Sequence, residues 1–335
     1  MRQAGELGLI RLVRRMAGAE PAPGVLTGIG DDTAVLALTP GASLLATTDL
    51  LIEDVHFRRA WASPGDIGWK ALAVNLSDVA AMGGIPRFAL VALALPGVAT
   101  IEEAAEFFQG FAALAHAHGV ALVGGDTSSS PDGWMVNVTV LGEHAGRPRL
   151  RAHARPGQLV AVTGSLGRSA AGLRLLEGCR PAAGLPDDAD AELVAAHLRP
   201  RPRVAEGQWL GAATGIQAMM DLSDGLATDL GHICAESSVG ADVWIDRLPI
   251  AAATRAAAAA IGGDPVRWAA GGGEDYELLV TLDAAAAPAV ARDLAAATGT
   301  ALTVVGQIRS GREVAFLDAH GQSVAMGAGY EHFRD

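Results

Sequence analysis

Carboxylates set beside glycine, serine and threonine are the residues of this chain best suited to chemistry. Six short motifs carry them: Gly28-Ile29-Gly30-Asp31-Asp32, Thr47-Thr48-Asp49, Asn75-Leu76-Ser77-Asp78, Gly124-Gly125-Asp126-Thr127, Asp221-Leu222-Ser223-Asp224-Gly225 and Gly271-Gly272-Gly273-Glu274-Asp275-Tyr276-Glu277. Magnesium takes oxygen ligands, keeps several waters and bridges one or two carboxylates to substrate phosphates. Several ions would need several carboxylates brought together from separate elements. Neighbouring glycines let backbone approach a phosphate with no Cβ in the way.

Each motif also has a plainer reading. Asp31 and Asp32 fit an ordinary turn. Asp49 ends a strand-like run and could cap the next element. Asp78 falls in a helix-like run among Leu72, Val74, Leu76 and Val79. Facing the core, it would need a partner or a cation; facing outward, it is a solvated acid. Asp126 follows a strand-like run at its end, a usual ligand-facing position. Asp224 could be a helix N-cap. The set of six is what points to a polyphosphate–metal site.

The elements that must hold these motifs alternate along the chain. Strand-like runs cover 34–38, 43–48, 88–95, 120–123 and 135–141, then 158–163, 216–220, 241–245, 278–282, 301–306 and 313–317. Helix-like runs cover 64–82, 101–118, 168–177, 204–213, 224–237, 251–260 and 284–298. The helix after Ser63 is well punctuated, with Ser63 as cap, Pro64 first, Asp66 in the capping-box place and Gly83 past the end. The polar, basic stretch 142–157 reads as a connection between two domains, taken as 1–147 and 148–335. A second loop-like stretch spans 178–190. Strands and helices mixed in both halves give an α+β protein of two domains.

Composition narrows the partners. The 335 residues carry 25 Lys and Arg against 37 Asp and Glu, a formal charge of −12, which disfavours nucleic acid as a main partner. Nucleotides remain open, through divalent cations. Cys179 and Cys234 offer neither a disulfide framework nor a zinc spacing. No run approaches the roughly 20 apolar residues of a membrane span. The N-terminus reads as an amphipathic helix and not a signal peptide, so the expectation is a soluble cytoplasmic protein. No GxxxxGK[ST] phosphate loop and no protein-kinase motif set occurs, so ATP would be held by another architecture.

In order, the motifs resemble those of the thiamine-monophosphate kinase family, within the aminoimidazole ribonucleotide synthetase superfamily. The resemblance covers about residues 5 to 333. It is carried by Gly30-Asp31-Asp32-Thr33-Ala34-Val35, by 47–57 (TTDLLIEDVHF), by 69–82 (WKALAVNLSDVAAM), by 221–230 (DLSDGLATDL), by 272–278 (GGEDYEL) and by 329–333 (GYEHF). It implies a two-domain synthetase-like fold: an N-terminal, sheet-forming domain that binds ATP and dimerises, and a C-terminal α/β sandwich domain. ATP and several Mg2+ ions would bind near the domain cleft and the interface of a homodimer. Metal ligands would be Asp31, Thr48, Asp49, Asp78, Asp126, Asp221 and Asp224. ATP would be contacted by Thr47, Phe108, Gly125, Asp126, Arg151 and Ser223. Thiamine monophosphate would be contacted by His56, Glu274 and Tyr330. The implied reaction is direct in-line phosphoryl transfer from ATP to thiamine monophosphate, with no dedicated catalytic base.

Four positions depart from the family pattern: Asp54 for a glycine, Ser128 for a threonine, Gln158 for an aspartate and Phe108 for a frequent tyrosine. Two alternatives stand beside the kinase. One is an ATP-dependent amidine-forming synthetase of the same superfamily, disfavoured by the His56, Glu274 and Tyr330 motifs. The other is a non-catalytic nucleotide-binding module, disfavoured by the intact acids.

Overall fold

The protein is described by a computed structural model covering residues 5–16, 22–180, 184–185 and 187–326. It divides into two compact units, Met1–Val79 with Gly84–Arg147, and Ala80–Gly83 with Pro148–Asp335.

The first unit contains α1 (Gly5–Met16), β1 (Val25–Thr27), β2 (Val35–Leu36), β3 (Ser43–Ile52), α2 (Pro64–Ala81), β4 (Ile85–Pro96), α3 (Ile101–Ala117), β5 (Ala121–Ser130) and β6 (Met135–His144). Four strands form a sheet in the order β3-β6-β4-β5, with β4 and β5 parallel and the other pairs antiparallel. The α2 start is the expected capping box: Asp66 Oδ2 accepts from Ser63 N (3.0 Å), and Ser63 Oγ accepts from Asp66 N (3.2 Å). The helix is buried almost all round, Leu72, Ala73 and Leu76 being fully inaccessible.

It meets α3 through glycines. A Cβ on Gly68 would lie 2.0 Å from the Phe107 carbonyl oxygen, and one on Gly110 would lie 1.9 Å from that of Gly65. The two backbones touch where no side chain fits. Phe88, Phe107, Phe111 and Trp134 fill the core beside this contact.

The second unit contains β7 (Leu159–Thr163), α4 (Arg168–Leu176), α5 (Asp187–Leu198), α6 (Val204–Ala212), β8 (Ile216–Asp221), α7 (Leu226–Ser237), β9 (Gly240–Trp244), α8 (Ala252–Ile261), α9 (Pro265–Gly271), β10 (Leu278–Leu282), α10 (Ala287–Thr298), β11 (Leu302–Arg309) and β12 (Val314–Leu317). Its sheet runs β12-β9-β11-β7-β10-β8, antiparallel except for β9 with β12. Val160, Val162, Leu230, Ile233, Leu279 and Val305 anchor one core cluster. Leu175 and Leu193 pack α4 on α5 in another.

Glu277, fully buried at the start of β10, takes Arg203 bidentately (2.6 and 2.7 Å) and Thr163 Oγ1 (2.8 Å). A buried carboxylate is tolerated because its acceptor sites are filled in this way. Gln158, where the family has an aspartate, is also buried. Its Nε2 donates to Asp283 Oδ1 (3.2 Å), a bond no carboxylate could make, while Oε1 accepts from Arg155 N (2.8 Å).

The α+β class holds, but several boundaries move. The strands 43–48 and 120–123 continue to Ile52 and Ser130, so Asp49 and Asp126 lie inside strands and not at their ends. The connection expected from Gly142 begins later, because β6 runs to His144. The loop expected over 178–190 gives way to α5 from Asp187. Cys179 is exposed just beyond α4, while Cys234 is buried in α7, where burial pushes its thiol up to about 11. Among the described residues no helix is long and apolar enough to cross a membrane.

Candidate functional site

In the first unit, strand alternation sorts the Thr47-Thr48-Asp49 motif onto two faces. Thr47 and Asp49 share one. There Thr47 Oγ1 makes a short hydrogen bond to Asp78 Oδ2, on α2. Burial, helped by the Asp78 charge, pushes the Asp49 carboxyl up to about 7. Two carboxylates thus lie close together, with a threonine hydroxyl bridging strand and helix. The donors are all oxygen and their negative charges repel, which is the environment a hard divalent cation relieves. Asp78 is half-buried at this junction, the paired reading and not the solvated one.

Thr48 turns the other way. Its Oγ1 lies 3.0 Å from both Asn137 Nδ2 and Thr139 Oγ1. Asn137 and Thr139 line a cleft of about 490 Å3 with Asp31, Asp32, Phe108, Gly125 and Asp126. Asp31 and Asp126 are exposed, each carboxylate accepting from the next residue's backbone N–H (2.9 and 2.8 Å). Gly125 has a structural reason of its own. At φ 155° in register with Val91, a Cβ there would sit 1.9 Å from the Val91 carbonyl oxygen. Phe108 is buried in the cleft wall, edge-on to Phe107 at 5.1 Å.

His56 sits in a turn after β3, its Nδ1 accepting from Ile52 N (3.1 Å). That bond fixes Nδ1 as an acceptor and so leaves the ring proton of the neutral imidazole on Nε2. The turn is closed by Asp54 at φ 65°, whose N–H reaches the Phe57 carbonyl (2.8 Å). This is the position where the family pattern has glycine, and the left-handed backbone is the reason.

In the second unit, Asp221 ends β8, nearly buried, and Ser223 and Asp224 follow in the turn before α7. The N-cap of α7 is Gly225, without a side-chain cap bond, so Asp224 does not cap its helix. The capping task falls to Asp229, whose Oδ2 accepts from Asp224 N (3.2 Å) and Gly225 N (3.0 Å). Burial, with the charges of Asp221 and Asp224, pushes the Asp229 carboxyl up to about 8.

The loop before β10 lies alongside. Glu274 N donates to Ser223 O (2.7 Å) and Tyr276 N to Leu222 O (2.9 Å), so Glu274 and Ser223 are neighbours. Glu274 and Tyr276 both hold positive φ, 55° and 50°, strain of the kind stored at working sites. Glu274 Oε2 is 3.2 Å from His197 Nδ1, which is also 3.0 Å from Ser169 Oγ. Asp275 accepts from Gly167 N (2.6 Å) and Ser169 N (3.2 Å), across the start of α4. Loss of hydration outweighs these bonds and pushes its carboxyl up to about 7.

Arg151 lies in a short turn packed beside β8 and α7. Its backbone turn is tied to Ser237 Oγ (2.8 Å), at the far end of α7. Tyr330 and the 329–333 motif lie outside the described residues. Sequence reasoning missed Asn137, Asp229, His197 and Asp275. Asp229 and Asp275 were visible within the acidic motifs, whereas nothing local marks Asn137 or His197.

The chain is similar to known proteins over most of its length. The N-terminal domain of AIR synthase related proteins matches residues 30–144, and their C-terminal domain matches residues 155–318. The thiamine-monophosphate kinase of Bacillus subtilis is 38% identical over 314 residues, 92% of this chain and 93% of its own. That of Salmonella typhimurium is 40% identical over 316 residues, 92% of each. Among solved structures, the thiamine-monophosphate kinase of Stenotrophomonas maltophilia is similar at TM-score 0.82 and 38% identity, covering 96% of this chain and 98% of its own. AaThiL complexed with AMPPCP and TMP is similar at TM-score 0.77 and 32% identity, covering 99% and 98%.

Proposed function

The chain belongs to the AIR synthase-related family and, within it, to the thiamine-monophosphate kinases, and we propose that it transfers the γ-phosphoryl group of ATP to the phosphate of thiamine monophosphate. A phosphate oxygen of the acceptor attacks the γ-phosphorus. The bond from that phosphorus to the β–γ bridging oxygen breaks, giving thiamine diphosphate and ADP. The acceptor is an anion at neutral pH, so no proton need be removed. The difficulty is joining two polyanions, and catalysis is positioning plus electrostatics.

The observation that carries this reading is the Thr47, Asp49 and Asp78 group, acids forced together among oxygen donors. Asp31, Thr48, Asp49, Asp78, Asp126, Asp221 and Asp224 would hold magnesium, which when bound offsets phosphate charge. Thr47 orients Asp78 by its hydroxyl. Gly125 and Asp126, with Phe108 as an apolar wall, fit one face of a nucleotide, the first two by backbone and charge. Arg151 and Ser223 are assigned to ATP, and His56, Glu274 and Tyr330 to thiamine monophosphate. The AaThiL complex with AMPPCP and TMP supports both substrates.

A second copy of the chain would add to the first unit's sheet. β3 is an edge strand of ten residues, with Leu44 and Leu50 about half exposed, and such an edge favours pairing. Domain limits near residue 147 and a cytoplasmic location, where ATP is supplied, complete the reading. Incubation with ATP, Mg2+ and thiamine monophosphate should yield thiamine diphosphate and ADP in equal amounts. ATP hydrolysis without thiamine diphosphate would sink the proposal. Sedimentation at several concentrations tests the dimer.

A further inference from the structure

Three side chains of metal-ligating type meet at the N-terminal end of α7. One ligand atom each of Asp224, Asp229 and His232 lies within 4.8 Å of the others. Asp229 and His232 are three residues apart on a helix and so share a face. Asp229 is 1% exposed. Its Oδ2 is held by the backbone N–H groups of Asp224 and Gly225, whereas its Oδ1 is buried without a hydrogen-bond partner. An orphaned buried acceptor is destabilising, and native proteins keep such an atom where something else satisfies it. His232 is exposed, which leaves a path in from solvent.

We propose that Asp224, Asp229 and His232 form a binding site for a divalent transition-metal ion of the manganese or zinc class. An imidazole nitrogen beside two carboxylates suits such an ion, whereas magnesium prefers all-oxygen surroundings. The positive end of α7 opposes a cation with about half a charge. Asp224, with Asp221 next to it, supplies negative charge that outweighs it, and a bound cation would favour the ionised form of Asp229. The site shares Asp224 with the magnesium set proposed above, and it rests on that reading only through this residue.

Untagged full-length protein, titrated with Co2+ in excess Mg2+, tests the assignment. The magnesium fills oxygen-only sites, and visible absorption of Co2+ reports a nitrogen ligand. The wild type should retain one Co2+ with such a spectrum. His232→Ala, at an exposed position, should weaken retention by about tenfold or more, and Asp229→Asn should do likewise. If Asp229→Asn fails to fold, His232→Ala decides alone. Unchanged retention in His232→Ala, or no Co2+ held by the wild type, overturns the site. Thiamine diphosphate formed by a wild type that retains no Co2+ leaves the kinase reading standing. Retained Co2+ with no thiamine diphosphate formed does the reverse.

Discussion

The two units hold their acids in different ways. In the first, Thr47 and Asp78 are 31 residues apart and come from a strand and a helix. Their meeting depends on how α2 lies against the sheet. In the second, Asp221, Asp224 and Asp229 fall within a single strand–turn–helix, and backbone N–H groups fix the carboxylate of Asp229. One site is assembled by tertiary packing, the other by the local chain. The first should therefore be sensitive to changes far from it. The second should answer mainly to changes in the segments that form it.

The largest effect should come from Asp49→Asn. We expect turnover to fall about a thousandfold, some 4 kcal/mol of lost charge stabilisation, with thermal stability kept or raised because a crowded acid is neutralised. Near-normal turnover at saturating magnesium would remove Asp49 from the metal set.

Next is Arg203→Met in the second unit. It leaves Glu277 buried and short of its bidentate partner, which should lower stability by about 3 kcal/mol, measured by urea denaturation. A loss within error would mean that the segment leading into β10 is anchored elsewhere.

Gly68→Ala tests remote sensitivity. The added methyl meets backbone, so a loss of about 2 kcal/mol is expected, with a fall in magnesium-dependent turnover though no metal donor is touched. Stability lost with turnover per folded molecule unchanged would erase the contrast between the units.

Asp275 supplies a pH test. Its folded pKa of about 7 lies above the ordinary 3.8, so the folded state binds the proton more tightly. Its contribution to stability is present below about pH 4 and is lost as pH rises to 7. Asp275→Asn should remove that decline, so the variant gains on the wild type between pH 5 and pH 8 in urea midpoints. A constant difference over this range would refute the raised value.

The smallest effect is Asp54→Gly, which relieves a left-handed aspartate and should add less than about 1 kcal/mol, seen as a small rise in melting temperature. A fall would show that the side chain has a role of its own in the turn before His56.

The acids themselves were legible as a set, because six motifs of carboxylates beside glycine, serine or threonine recur along the chain. Their setting was less so. Ala121–Ser130 carries Gly124, Gly125 and Asp126, residues that disfavour strands, yet it pairs with β4 along its length because only glycine at 125 admits the Val91 carbonyl. The start of α5 was hidden behind Gly184 and the acidic run 187–190, and His197 near its end was lost with it. Asp229 and Asp275 stand inside the quoted motifs, but their roles come from burial and backbone partners, which no spacing encodes. The departures at Asp54 and Gln158, by contrast, were visible in the sequence and gained their reasons from backbone angle and hydrogen bonding.

The glycine contact between α2 and α3 reaches further than packing. Gly68 and Asp78 lie on one rigid rod, separated by about 15 Å of helix rise. Any side chain that wedges the rod away at Gly68 swings its far end, where Asp78 meets the Thr47 hydroxyl. A position without a functional group thus sets the aim of one with a full charge, and a mutational screen for lost activity would flag Gly68 as though it touched the substrate.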